Sequence, residues 1–100
     1  MTDYSKMSDD EINVKVGECI GFAAKLMAVN KDTDYCNNPS DAWPVIIKNR
    51  ISMVWDCAED ASSEWWNAVD QYDDFRIQYQ SNPLRAAMIV YLMMKESENG

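Results

Sequence analysis

The chain has 100 residues, 47% hydrophobic and 26% charged, the size and mix of one globular domain that needs no disulfide or metal staple. Its 17 acids against 9 bases give a formal charge of -8, which argues against non-specific binding to nucleic acid and against anionic membranes. It has no histidine, so Ser-His-Asp and Cys-His catalysis and histidine metal sites are excluded.

The first predicted element is a helix with a marked start. Ser8 and Glu11 have capping-box spacing, Met7 and Ile12 stand where a hydrophobic staple would, and Asp9, Asp10 and Glu11 favour the helix dipole. Ile12, Val16, Cys19 and Ile20 form its apolar stripe, and Gly21 suits the stop. "FAAKLMAV" (22–29) passes as a strand of poor pattern, and "NKDTDYCNN" reads as a polar loop. Asn38-Pro39 is a turn signal, with Asn38 or Ser40 as cap for the next helix. Trp43, Ile46 and Ile47 lie on one side of that helix, so Trp43 is expected to pack inward, and Asn49 tolerates a left-handed exit.

Three strands follow. "ISMVWD" alternates Ile51, Met53 and Trp55 against Ser52, Val54 and Asp56, and "FRIQYQ" alternates Phe75, Ile77 and Tyr79 against Arg76, Gln78 and Gln80. In "EWWNAV" between them, Trp65 and Trp66 point to opposite faces, one toward the core and the other helix-covered or exposed. The last helix opens with Asn82 as cap and Pro83 at its first position. Its run Met88–Met94 is apolar all round, so it is expected between the sheet and the other helices. A second reading gives Ile89, Leu92 and Met93 to a homodimer or partner interface. The whole is one α+β domain: an antiparallel meander of three to four strands on about three helices, with residues 1–6 and 96–100 frayed.

Chemistry is thinly marked. Cys19, Cys36 and Cys57 are odd in number and lack CxxC spacing; without a secretory signal they read as reduced cytoplasmic thiols. The run "AAMIVYLMM" is too short to span a bilayer. Neither GxxxxGK[ST] nor GxGxxG occurs, and "DQYDD" lacks the glycine and distal glutamate of a calcium loop. A carboxylate-dependent enzyme would need acids converging in a pocket, and the sequence singles out no such pair. No catalytic residue, metal ligand or cofactor is therefore expected, and the chain reads as a non-enzyme.

The charge is uneven. Residues 51–80 hold Asp56, Glu59, Asp60, Glu64, Asp70, Asp73 and Asp74 against Arg76 alone. Turns are commonly polar surface, and solvation accounts for acids there. The functional reading is an acidic rim around Trp65 or Trp66 that binds a host or phage protein with a basic surface, since opposite charge steers encounter and an aromatic anchors it. Direct nucleic-acid and membrane binding are not expected, while local mimicry of DNA phosphates by carboxylates stays open.

The blocks "SDDEIN", "CNNPSDAWPVIIKNRIS", "VWD", "EWWNA" and "NPLRAAMIVYLMM" together resemble the NinX family of lambdoid bacteriophages over most of the chain. Two departures stand out: the segment from Lys25 to Tyr35 is short, and Asn49-Arg50 occupies the place of an expected glycine. The resemblance implies a small accessory protein acting in the bacterial host cytoplasm, with modulation of a host defence or nucleic-acid-processing complex as its task. It brings over no catalytic residue.

Overall fold

A computed structural model describes residues 2–99; Met1 and Gly100, part of the ends expected to fray, lie outside the described residues. In chain order there are a 3-10 turn at Tyr4–Lys6, helices α1 (Asp9–Ile20), α2 (Phe22–Val29) and α3 (Pro39–Asn49), strands β1 (Ser52–Cys57), β2 (Glu64–Val69) and β3 (Arg76–Gln80), and helix α4 (Pro83–Asn99). The strands form an antiparallel meander in the order β1-β2-β3, so the fold is α+β.

The start of α1 is the one its sequence predicts. Ser8 Oγ accepts from the Glu11 N–H at 3.1 Å and the Glu11 carboxylate accepts from the Ser8 N–H, which satisfies two of the free donors of the first turn. Ile12 and Val16 are fully buried, but Cys19 and Ile20 at the far end of the stripe are exposed. The buried Asn13 takes part instead. Its amide donates to Asp34 Oδ1 at 2.8 Å and its carbonyl accepts from the Cys36 N–H at 3.0 Å, which fastens the polar segment after α2 and buries Tyr35 and Cys36.

Residues 22–29 are a helix, not the strand that their sequence allowed. Alanine, leucine, methionine and lysine are strong helix formers, and the stretch has only one β-branched residue, Val29. The helix turns back along α1: Lys25 bridges to Glu18 at 3.1 Å, and Lys31, beyond its end, bridges to Asp10 at 3.5 Å near the start of α1. At Gly17 the two backbones approach so closely that a Cβ there would lie 2.8 Å from the Ala24 carbonyl oxygen.

Asn38 caps α3, accepting from the Ser40 N–H at 3.0 Å, with Pro39 at the first helical position. This cap puts Pro44 inside the helix, on an exposed position. The inward stripe is Ala42, Val45 and Ile46, so Trp43 does not pack inward: it is 52% exposed and Ile47 is 56% exposed. The left-handed exit falls on Arg50 (φ 54°), while Asn49 stays helical and donates to the Val45 carbonyl at 2.8 Å.

Asn82 caps α4, accepting from the Leu84 N–H at 2.9 Å while donating to the Cys36 carbonyl at 2.7 Å. Ala86 to Leu92 are all buried, because α4 lies against all three strands on one side and α1 and α3 on others. Ile89 and Leu92 are therefore inside the domain and unavailable to a second copy. Arg85 draws the parts together: it donates to Asp9 Oδ1 at 2.7 Å and to the Ser5 and Met7 carbonyls at 3.0 and 2.7 Å. Near the other end of α4, Glu96 accepts from the buried Tyr4 hydroxyl at 2.9 Å.

Candidate functional site

The register assigns each strand residue to a face. Met53 opposes Ala68 and Ala68 opposes Ile77; these three line the side covered by α4. By alternation Trp55, Cys57, Glu64 and Trp66 share that side, whereas Val54, Asp56, Trp65 and Asn67 point the other way. Trp65 and Trp66 thus face oppositely, as their adjacency predicts, and both are half-buried. The inward alternation of β1 fades along the strand: Ile51 is buried, Met53 half-buried and Trp55 51% exposed. That of β3 is broken by a bulge opposite Trp66–Ala68. Tyr79, at φ 63°, is turned to the outer face, where its ring lies 5.0 Å from that of Trp65.

The meander separates the seven acids. Asp56, Glu59, Asp60 and Glu64 gather at the β1–β2 turn, and Asp70, Asp73 and Asp74 at the β2–β3 turn, at opposite ends of β2, roughly 17 Å apart along a six-residue strand. At the first turn all four carboxylates are exposed. Glu64 accepts from Trp55 Nε1 at 3.2 Å, which fixes the indole beside that carboxylate, while Asp56 points to the other face. The Ser62 hydroxyl and N–H hold the Asp60 carboxyl below its usual range. The chain segment Ser52–Val69 that builds this hairpin contains no basic residue.

A family model described as "Bacteriophage P22, NinX" matches residues 3–95, nearly the whole chain. The chain belongs to this family. No curated protein and no solved structure matches it. Membership in NinX makes it a small phage accessory protein, as the resemblance of its helix starts and core blocks implied.

The second turn of this NinX chain is built differently. Asp70 is only 5% exposed, and its carboxylate accepts from the Asp74 and Phe75 N–H groups at 2.8 and 2.9 Å. It therefore belongs to the turn's own framework and offers nothing to a partner. Asp73 pairs with Arg76 at 2.6 Å, which leaves Asp74 as the unpaired surface acid of that turn. Of the nine residues expected at a binding surface, Asp56, Glu59, Asp60 and Glu64 are brought together, Trp65 lies under Tyr79 on the outer face, and Trp66 sits across from Trp55.

A cleft of about 290 Å³ opens between the end of α1, α3 and α4, lined by Cys19, Pro44, Lys48, Tyr91 and Lys95 among others. Burial pushes the Tyr91 hydroxyl up to about 12 and raises the Cys19 thiol, so both keep their protons near neutral pH and neither is poised as a base or nucleophile. Among the described residues, no group of three or more His, Cys, Asp or Glu could hold a metal ion, and no helix is long and apolar enough to cross a membrane.

Two exposed features escaped the sequence reading. Trp55 alternates with Ile51 and Met53, and nothing in that pattern says that α4 leaves its end of the strand bare. The apolar outer side of α2 went unread because the segment passed for a strand, yet Phe22, Leu26 and Val29 stand at i, i+4 and i+7.

Proposed function

We propose that this phage accessory protein is a non-enzymatic binding protein of the bacterial host cytoplasm, and that its β1–β2 hairpin tip captures a basic surface of a host or phage protein. The observation that carries the reading is an exposed Trp55, held by Glu64, among four exposed carboxylates with no base on the same hairpin. A tryptophan at a hairpin end that carries acids and no base supplies both requirements of protein recognition, an anchor and long-range steering. Complexes that process nucleic acid or defend the host against phage present Lys- and Arg-rich surfaces for phosphate, and the proposed act is to occupy one of these and modulate or inhibit it. Asp74 and the Asp73–Arg76 pair stand at the other end of the sheet and form no part of the proposed contact.

The test is capture from infected bacterial lysate on immobilised protein, with identification by mass spectrometry. Wild type is expected to retain a basic protein that elutes with rising salt. A folded Trp55→Ala, Glu59→Lys, Asp60→Lys variant is expected to lose it, and an Asp73→Lys, Asp74→Lys variant to keep it. Equal retention by all three chains would end the proposal.

A further inference from the structure

The face of α2 turned away from α1 has the wrong chemistry for water. Only Ala28 of this helix is buried, and Ala24 and Ala28 form the side toward α1. The opposite side presents Phe22 at 76% exposure, Leu26 and Met27 at 45% each and Val29 at 52%, with Ile20 beside them at 49%. The helix's one charged residue, Lys25, sits on the flank, paired with Glu18. A helix side facing solvent is ordinarily polar. These five side chains leave on the order of 500 Å² of apolar surface, near the top of the range for the largest patch on a monomer.

We propose that this face is the interface of a symmetric homodimer, in which α2 of one chain packs antiparallel on α2 of a second copy. Two such faces, fully covered, would together bury on the order of 1,000 Å², the lower bound for a biological interface and the size of a weak one. Charge permits the same occupant. Two chains of net charge -8 repel wherever their acids meet, and the free side of α2 carries none. Its flanks are already neutralised, by Lys25 on Glu18 and by Lys31 on Asp10, so the contact would have an apolar centre and a paired polar rim. A basic partner of the kind that suits the hairpin would find no carboxylate here. The eight-residue helix is about 12 Å long, and a two-fold axis near Leu26 sets the large Phe22 of each chain against the smaller Val29 of the other. This inference stands apart from the binding role of the hairpin.

Sedimentation equilibrium across roughly 1–500 µM, the range that a small interface calls for, tests it. The wild-type chain is expected to reach twice its 11.5 kDa mass. Leu26→Glu and, separately, Phe22→Asp change exposed side chains and are expected to stay folded by circular dichroism while dissociating roughly tenfold or more readily. Val54→Lys, on the exposed outer face of the sheet, is expected to dimerise like wild type. A wild-type mass of one chain throughout would overturn the proposal. So would a folded Leu26→Glu variant that dimerises as tightly as wild type, or dissociation caused by Val54→Lys and not by Leu26→Glu.

Discussion

Replacing Gly17 by alanine sets two opposite effects against each other at one position. In a helix interior alanine is favoured over glycine by roughly 0.5–1 kcal/mol, so propensity alone predicts a more stable protein. Packing predicts the reverse. The new Cβ would stand 2.8 Å from the Ala24 carbonyl oxygen and 3.0 Å from both the Ala24 carbonyl carbon and the Lys25 Cα. All three are backbone atoms, so no rotamer change relieves the contact. The α2 helix must instead withdraw from α1 by several tenths of an ångström, straining the Lys25–Glu18 and Lys31–Asp10 pairs. Overpacking of this kind costs roughly 1–3 kcal/mol, which exceeds the gain in propensity. The expected net loss is about 1 kcal/mol, a fall of roughly 4–8 °C in melting temperature for a domain of this size. Urea unfolding measures the net change, and hydrogen exchange localises it, since α2 amides should lose protection first. A Gly17→Ala protein as stable as wild type, with α2 protection unchanged, would refute the argument.

Other consequences are as specific. Arg85→Met leaves the Ser5 and Met7 carbonyls without this donor and the half-exposed Asp9 carboxylate with Asn37 alone, and urea unfolding should show a loss of about 2 kcal/mol with an unchanged slope; a change below about 0.5 kcal/mol would contradict the bracing role of this residue. Asp70→Ala should cost about 2 kcal/mol by freeing the Asp74 and Phe75 N–H groups, while partner capture by the folded fraction stays at the wild-type level. Burial first, and the Asp9 carboxylate after it, pushes the Cys36 thiol from 9.0 up to about 12. The folded chain then keeps a proton that the unfolded chain releases, so this contribution is fully present below pH 9 and declines by roughly 1 kcal/mol per unit as pH rises toward 12. Tyr91 adds to the decline above pH 10, and Cys36→Ala should reduce the slope between pH 9 and 10, leaving the smaller part due to Cys19, as read from urea midpoints at each pH.

The parts of the fold legible in the sequence are those fixed by neighbouring residues. The Ser8–Glu11 cap of α1, the Asn82-Pro83 start of α4 and the all-round apolar run that buries α4 each follow from a few adjacent side chains. What eluded reading depends on distant neighbours. Eight residues from Phe22 to Val29 are too few for periodicity to separate helix from strand, and composition was the better guide. Trp43 and Ile47 looked inward because the orientation of α3 against α4 is a tertiary matter; the stripe beginning at Ala42 serves equally well and is the one used. The bulge that turns Tyr79 onto Trp65 has no glycine to announce it. The acids present a different case. Successive turns of an antiparallel meander fall at opposite ends, so the strand order by itself separates Glu59 and Asp60 from Asp73 and Asp74. A rim spanning all seven was therefore never available to one compact contact.

The β1–β2 tip, and not the general acidity of the chain, is the proposed recognition surface. Its most direct test is the dissociation constant of the captured protein, measured at one ionic strength for wild type, for the Trp55→Ala, Glu59→Lys, Asp60→Lys chain and for the Asp73→Lys, Asp74→Lys chain. A central tryptophan anchor is worth about 2 kcal/mol or more, so the first variant should bind at least roughly 30-fold more weakly, while the second stays within a few-fold of wild type. Equal weakening by the two variants, or none by the first, would contradict the account.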